Sequence, residues 1–310
     1  MRSIFTFLFL TIFFALQLMA QPPEQDLSKL MDEELSKTDK AEIDYSIATF
    51  KATRLVNGHT NEQMARGVMD FRISHRFGAF NGGAYEFFGL DQASMRMALE
   101  YGITNWFMVG GGRSTYEKTY DVFAKFKLLR QSKGAVKMPI SLNYLATWAT
   151  KTIKFTNLAR QNYFTSNFYF THQLIIARKF SESFAFMLAP TVVHRNLVSL
   201  NTDKNDLLSL GIGGRIKLTG STSLNLEYYY QIDRPVGTVD CFSVGFDIET
   251  GGHVFQLTFS NSPAQIERAF IHETTGRWQD GAILGGFNIS RVFTLVDYRK
   301  RGTKNPDVEK

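Results

Sequence analysis

The stretch SMRMALEYGI, Ser94 to Ile103, decides the fold. Every second residue is large and apolar: Met95, Met97, Leu99, Tyr101 and Ile103. Arg96, Ala98, Glu100 and Gly102 stand between them. Successive side chains of a β-strand point to opposite faces, so this spacing predicts a strand with two different environments.

The same split recurs along the chain. MDFRISHRF sets Met69, Phe71, Ile73, His75 and Phe77 against Asp70, Arg72, Ser74 and Arg76. YDVFAKFKL sets Tyr120, Val122, Ala124, Phe126 and Leu128 against Asp121, Phe123, Lys125 and Lys127. SLNLEYYYQID sets Leu224, Leu226, Tyr228, Tyr230 and Ile232 against Asn225, Glu227, Gln231 and Asp233. CFSVGFDIE sets Phe242, Val244, Phe246 and Ile248 against Ser243, Gly245, Asp247 and Glu249. About twelve such segments are expected, an even number as bacterial barrels require. Their centres lie near Phe71, Leu99, Met108, Val122, Leu142, Phe170, Phe186, Ile212, Leu226, Phe246, Leu257 and Ile289.

The connections between them alternate. Gly251-Gly252 is a favoured hairpin pair. It sets Ile248 opposite Phe255, Phe246 opposite Leu257, Val244 opposite Phe259 and Asp247 opposite Gln256. A two-residue turn at Thr104-Asn105 pairs Ile103 with Trp106. Short turns also fit 181–183 and 219–223, with a somewhat longer one around Lys133-Gly134. The connections 78–93, 114–118, 149–166, 194–206, 234–240 and 260–282 read as longer.

This pattern predicts an all-β protein: a transmembrane antiparallel up-and-down β-barrel of about 12 strands, with short periplasmic turns and long extracellular loops. The apolar rows face lipid and the polar rows face the lumen. Closing the sheet pairs its backbone groups, as a bilayer demands. A soluble sandwich would bury the same apolar faces, but rings near the strand ends favour the membrane. Tyr101 and Trp106 flank one short turn. Tyr120, Trp148, Tyr228 and Tyr230 lie towards the long-loop end, where interfacial rings sit. Arg178 and Arg291 fall on the apolar face near the short-turn end, within snorkelling reach of headgroups.

The 310 residues are 44% hydrophobic and 14% aromatic, with 28 Phe. That length suits one large all-β domain or two smaller ones. The net charge of +6 is scattered rather than gathered in a basic block, so no nucleic-acid partner is expected. Cys241 is the single cysteine, so no intrachain disulfide forms. The opening MRSIFTFLFLTIFFALQLMA has a basic Arg2, an apolar run from Ile4 to Leu16 and a small Ala20. It reads as a cleaved signal peptide over 1–20. The expected organisation continues with a periplasmic leader or plug over 21–64, the barrel over 65–295 and a charged tail over 296–310.

Three runs carry a family resemblance: ATFKATRLVNGH (Ala48–His59), MDFRISHRFGAFNGGAYEFFGLDQASMRMALEYGITNWFMVGGGRS (Met69–Ser114) and YEKTYDVFAKFKLLRQ (Tyr116–Gln131). In these the chain resembles domain of unknown function 5777, an uncharacterised outer-membrane β-barrel family found mainly in Bacteroidota-type bacteria. The resemblance covers nearly all of the mature chain and is most specific from Ala48 to Gln131. It implies a barrel in the cell outer membrane. It supplies no substrate and no catalytic residue.

Catalytic barrels of lipid metabolism place His and Ser two apart on an outer strand face, where a base activates a hydroxyl. None of the six histidines has Ser two residues on. His75 and His172 face outward by parity. No His/Cys cluster has metal spacing, and GGGRS (Gly110–Ser114) lacks the lysine and the strand-to-helix context of a phosphate loop. The chain is therefore read as a non-enzyme with no catalytic residue, metal or cofactor. AQIERAFIHE (Ala264–Glu273) predicts a short helix in the last long loop, as a lid or contact surface. FNGGAYEFFGLDQ (Phe80–Gln92) is a long connection that could fold over or into the mouth.

The predicted lumen row holds the chemistry. Arg72, Arg76, Arg96, Lys125, Lys127, Arg215 and Lys217 are basic; Asp70, Glu100, Asp121, Glu227 and Asp247 are acidic. Strand register would bring Arg215 near Glu227 and Arg72 near Glu100. Two functions follow. One is a porin-like passive channel for small solutes, anions if the basic excess lines an open path. The other is a plugged structural or partner-binding barrel, whose cue is ATFKATRLVNGH lying inside the lumen. The expected partners are outer-membrane lipid and a small solute.

Overall fold

The computed structural model describes residues 43–155, 161–198, 200, 202–250 and 253–298. The signal peptide, half of the leader (21–42), most of the charged tail and the Gly251-Gly252 turn fall outside them.

Twelve antiparallel strands close into one barrel. In chain order they are β1 (Val68–Ala79), β2 (Ala93–Gly102), β3 (Phe107–Ser114), β4 (Thr119–Leu129), β5 (Ser141–Lys151) and β6 (Phe168–Lys179). The second half is β7 (Phe184–Arg195), β8 (Asp206–Lys217), β9 (Thr222–Gln231), β10 (Cys241–Thr250), β11 (His253–Ser260) and β12 (Leu284–Thr294). Each strand pairs with the next, and β12 returns to β1, so the barrel wall has no free edge. Every predicted strand centre lies inside a strand.

The alternation places the side chains as read. Asp70, Arg72, Ser74 and Arg76 of β1 are buried, as are Arg96, Ala98 and Glu100 of β2. On the other parity Met97 is 46% exposed, Leu99 50% and Val122 49%, which is a face built for lipid. The β10–β11 register is Ile248↔Phe255, Phe246↔Leu257, Val244↔Phe259 and Asp247↔Gln256, as the Gly-Gly pair implied.

One register differs. Gly102 pairs with Met108, so Trp106 stays in the turn and does not face Ile103. The Thr104 hydroxyl accepts the backbone N–H of Trp106 at 3.3 Å and of Phe107 at 3.0 Å. This local bond lengthens the turn by one residue. The alternation of loop lengths is also not strict. The β3–β4 connection, 115–118, is as short as 103–106 at the opposite end. The Phe80–Gln92 connection does not enter the barrel: Tyr85 is 96% exposed and Phe87 61%.

Twelve strands lie between the eight-stranded barrels that side chains fill and the sixteen-stranded ones that hold channels. Two inserts occupy the interior. One is the segment before β1, residues 48–66. The other is the β11–β12 connection, which carries the short helix α1 (Glu267–His272), all six residues of it buried.

Candidate functional site

Residues 53–60 form a hairpin inside the barrel. Thr60 N donates to Thr53 O at 2.9 Å, Leu55 N to Gly58 O at 2.8 Å, and Arg54 bridges His59. Both arms of the hairpin face the short-turn end. Ser46 N bonds Gln131 O at 2.9 Å, and Arg66 N bonds the Asn105 side chain at 3.3 Å before the chain enters β1. The tip, Leu55–Gly58, points towards the other mouth.

Wall side chains hold the hairpin by its main chain. Glu227 accepts three consecutive N–H groups, from Val56 and Asn57 at 3.2 Å and Gly58 at 2.9 Å. Successive amides converging in this way form an anion-binding nest, and here the anion is the protein's own carboxylate. Arg215 donates to the carbonyls of Ala48 and Thr49, each at 3.0 Å. Lys125 Nζ donates to the carbonyls of Thr60 at 3.1 Å and Glu62 at 2.6 Å. Gln256 donates to Leu55 O at 2.6 Å, Asn288 to Val56 O at 3.2 Å and Asn143 to Asn61 O at 3.1 Å.

These bonds overturn one expectation. Arg215 and Glu227 do not pair: Arg215 sits opposite Asn225 and Glu227 opposite Gly213, and each bonds the inserted backbone, Glu227 at the hairpin tip and Arg215 at Ala48 and Thr49 before it. Arg72 and Glu100 do meet, through a third group. Thr53 Oγ1 donates to Glu100 at 2.5 Å and accepts from Arg72 at 3.2 Å. Arg96 forms a two-pronged pair with Asp121, its Nε at 2.9 Å from Oδ1. Asp70 accepts from Ser290 at 2.5 Å and lies 3.5 Å from Arg72. Asp247 accepts from Asn225 at 2.7 Å and Gln256 at 2.5 Å. Arg76 donates to Asn57 Oδ1 at 2.7 Å and to Thr258. Lys127 lines a cavity at the short-turn mouth with Arg130, Glu62 and Asn105. Lys217 stands at the end of β8, half-buried.

Glycines clear room for the tip. A Cβ on Gly213 would lie 2.5 Å from Leu55 Cδ2, and one on Gly245 would lie 3.0 Å from Val56 Cγ2. Gly58 abuts Tyr229, whose hydroxyl a Cβ there would overlap. Apolar packing adds to this. Phe50 and Leu55 join an inward cluster of Met108, Phe123, Leu145, Ile175 and Met187.

The second insert comes from the long-loop end. Arg268 of α1 donates to Glu273 at 2.6 Å, to Glu117 at 2.7 Å and to Thr119 at 3.0 Å. Phe270 packs edge-on against Tyr229, centroids 5.0 Å apart. Burial, with Arg195 nearby, lowers the His272 imidazole to about 4 against the opposing pull of Asp233 and Asp240. Burial pushes the Glu117 carboxyl up, but Arg268 and Lys151 outweigh it and hold it below its ordinary value. Among the described residues no group of three or more His, Cys, Asp or Glu stands together as a metal site.

The six interface aromatics predicted from sequence all take the outward parity or a turn. Trp106 is 50% exposed, Tyr120 47% and Tyr230 49%. Tyr228 donates to Asp240 at 2.7 Å, and Trp148 meets Phe168 edge-on at 5.0 Å. Arg178 and Arg291 lie over the rings of Phe180 and Phe293, at 4.9 and 5.0 Å. Sequence reasoning missed Tyr229, Asn143, Asn288 and Glu267 as residues that fill the lumen. The inward glycines at 213 and 245 were the available signal, because Gly in a strand often marks the close approach of another chain segment.

Comparison with known families matches residues 50–293 to a membrane bound beta barrel domain, DUF5777. The chain belongs to this family. The match spans the hairpin as well as the barrel wall. Solved structures similar to the chain include the KdgM porin, at 8% identity and a TM-score of 0.45, covering 73% of this chain and 98% of that one. The NanC porin is similar at 7% identity and a TM-score of 0.44, covering 72% and 98%. An outer membrane channel from Pseudomonas putida F1 is similar at 13% identity and a TM-score of 0.40, covering 75% and 97%. No curated protein matches the chain.

Proposed function

We propose that this membrane β-barrel is a gated passive channel of the outer membrane, seen with its lumen closed by residues 48–66. The observation that carries the reading is how the hairpin is held. Charged wall groups Glu227, Arg215 and Lys125 bond the main chain of residues 48–66. Water can replace such polar bonds when the segment leaves. A lumen built only to stay shut would be stabilised more by apolar filling, since buried charge is costly. The solute is small. The basic excess at the short-turn mouth, from Lys127, Arg130 and Lys217, favours anions. The short turns face the periplasm, and residues 1–20 are a cleaved signal peptide.

The test is single-channel recording of the full-length mature protein in planar bilayers under a salt gradient. Brief openings with a reversal potential on the anion side support the reading. Silence at every potential and salt concentration refutes it. A permanently plugged barrel is the second reading: its cue, ATFKATRLVNGH inside the lumen, is met, and the Phe50 and Leu55 contacts within the apolar cluster also favour it.

A further inference from the structure

The two inserts enter from opposite mouths and meet at one side chain. Glu267 Oε1 of α1 accepts from Arg54 Nη1 at 2.7 Å and lies 3.5 Å from His59 Nε2. Arg54 and His59 stand across from each other on the two arms of the hairpin. All three are buried: Arg54 is 4% exposed, His59 0% and Glu267 2%. Arg54 also donates to the Asn57 carbonyl at 2.6 Å, within the tip. We propose that Glu267 is the positioning residue that interlocks the hairpin with the loop helix, so that displacing α1 at one mouth releases the hairpin towards the other.

The physical basis is the cost of stranding charge. If α1 moves out alone, Arg54 loses its hydrogen-bonded carboxylate and keeps only Glu100, 3.7 Å from its Nε. If the hairpin moves alone, Glu267 stays buried without its cation. Breaking one side of a buried pair is far costlier than removing both. The lowest path therefore moves both inserts, or neither. The remaining anchors of α1 are separate from the hairpin. Arg268 bonds Glu117, Thr119 and Glu273, and none of these belongs to residues 48–66. A solute or partner that pulls on the loop at 261–283 would thus be felt at the opposite mouth, through Glu267. The inference rests on reading the hairpin as a removable closure.

The experiment uses the full-length protein in a Cys241→Ser background, with Val56→Cys as hairpin reporter or Ala269→Cys as helix reporter. Rates of modification by a membrane-permeant thiol reagent are measured in proteoliposomes. Arg268→Gln loosens α1 without touching the hairpin. Interlock predicts faster modification at both reporters, by about tenfold or more, and non-additivity when Arg268→Gln is combined with Glu267→Gln. If Arg268→Gln accelerates Ala269→Cys and leaves Val56→Cys protected, the interlock is overturned. Should Glu267→Gln fail to fold, Glu267→Asp keeps the charge and shortens the reach. It must still weaken transmission, and undiminished transmission also overturns the proposal. These readouts need no current, so a protein that never conducts refutes the channel and leaves the interlock to be judged by labelling.

Discussion

Replacing Glu227 with Gln tests how the hairpin tip is held. The carboxylate accepts N–H bonds from Val56, Asn57 and Gly58 at 3.2, 3.2 and 2.9 Å. A hydrogen bond to a charged acceptor contributes about 1 kcal/mol more than one to a neutral acceptor. Over three bonds the loss is about 3 kcal/mol. The amide NH₂ also replaces one acceptor and faces the Asn57 N–H. Gln is cheaper to bury than a carboxylate, which returns part of that, so about 2 kcal/mol remains. At about 1.4 kcal/mol per factor of ten, the released hairpin becomes about 30 times more populated. The assay is the rate of thiol modification at Val56→Cys with Cys241→Ser, compared with and without Glu227→Gln. Refolded barrel yield serves as the control for global damage. An unchanged or slower rate in the Glu227→Gln variant would refute the claim that this carboxylate retains the tip.

Other consequences are open to direct measurement. Gly58→Ala drives a methyl into the Tyr229 hydroxyl, and overpacking of this kind costs about 1–3 kcal/mol; the hairpin should lose protease protection while the barrel still forms. Arg96→Glu sets two carboxylates against each other where Arg96 and Asp121 now pair, so it should abolish folding, read as loss of the heat-modifiable barrel band. Lys127→Glu with Lys217→Glu, at the mouth, should instead leave folding intact and lower any anion preference in a reversal-potential measurement. His272 is held neutral down to about 4, against an ordinary value near 6.5. The unfolded or detached loop therefore binds the extra proton first as pH falls, and seating of α1 weakens by up to about 3 kcal/mol between pH 6.5 and 4. Limited proteolysis of the loop at 261–283 should rise over that window, and His272→Leu should flatten the dependence. A cysteine at Asn205 should be labelled on intact cells and one at Gly220 should not, if the short turns face inward.

The wall of the barrel was legible because a strand's period of two is local and strict. SMRMALEYGI and MDFRISHRF state which residues face lipid without reference to any neighbour. Register was legible where a turn enforces it, as with Ile248 opposite Phe255. It slipped at Thr104, where a side-chain hydroxyl captured two backbone N–H groups. The contents of the lumen were less legible. Parity identifies Glu227, Arg215 and Lys125 as inward, but it cannot say what they meet. Their partners are main-chain groups far away in sequence, and main-chain groups leave no trace in residue type. ATFKATRLVNGH has no periodicity, so only its contacts reveal it as the hairpin. Gly213, Gly245 and Gly58 were the sequence's traces of that contact, but their meaning needs the opposing Leu55, Val56 and Tyr229.

The central claim is that the hairpin opens and shuts a path through the barrel. Val56 Cγ2 lies 3.0 Å from where a Cβ on Gly245 would stand, near enough for a disulfide to tie the tip to β10. The decisive measurement is planar-bilayer current through full-length protein carrying Val56→Cys, Gly245→Cys and Cys241→Ser, before and after adding a thiol reductant. The account predicts silence while the bridge is intact and channel openings once it is reduced, with unbridged Cys241→Ser protein giving the same brief openings with and without reductant. Equal current in the bridged and reduced states, or none in the reduced and unbridged proteins, would contradict it.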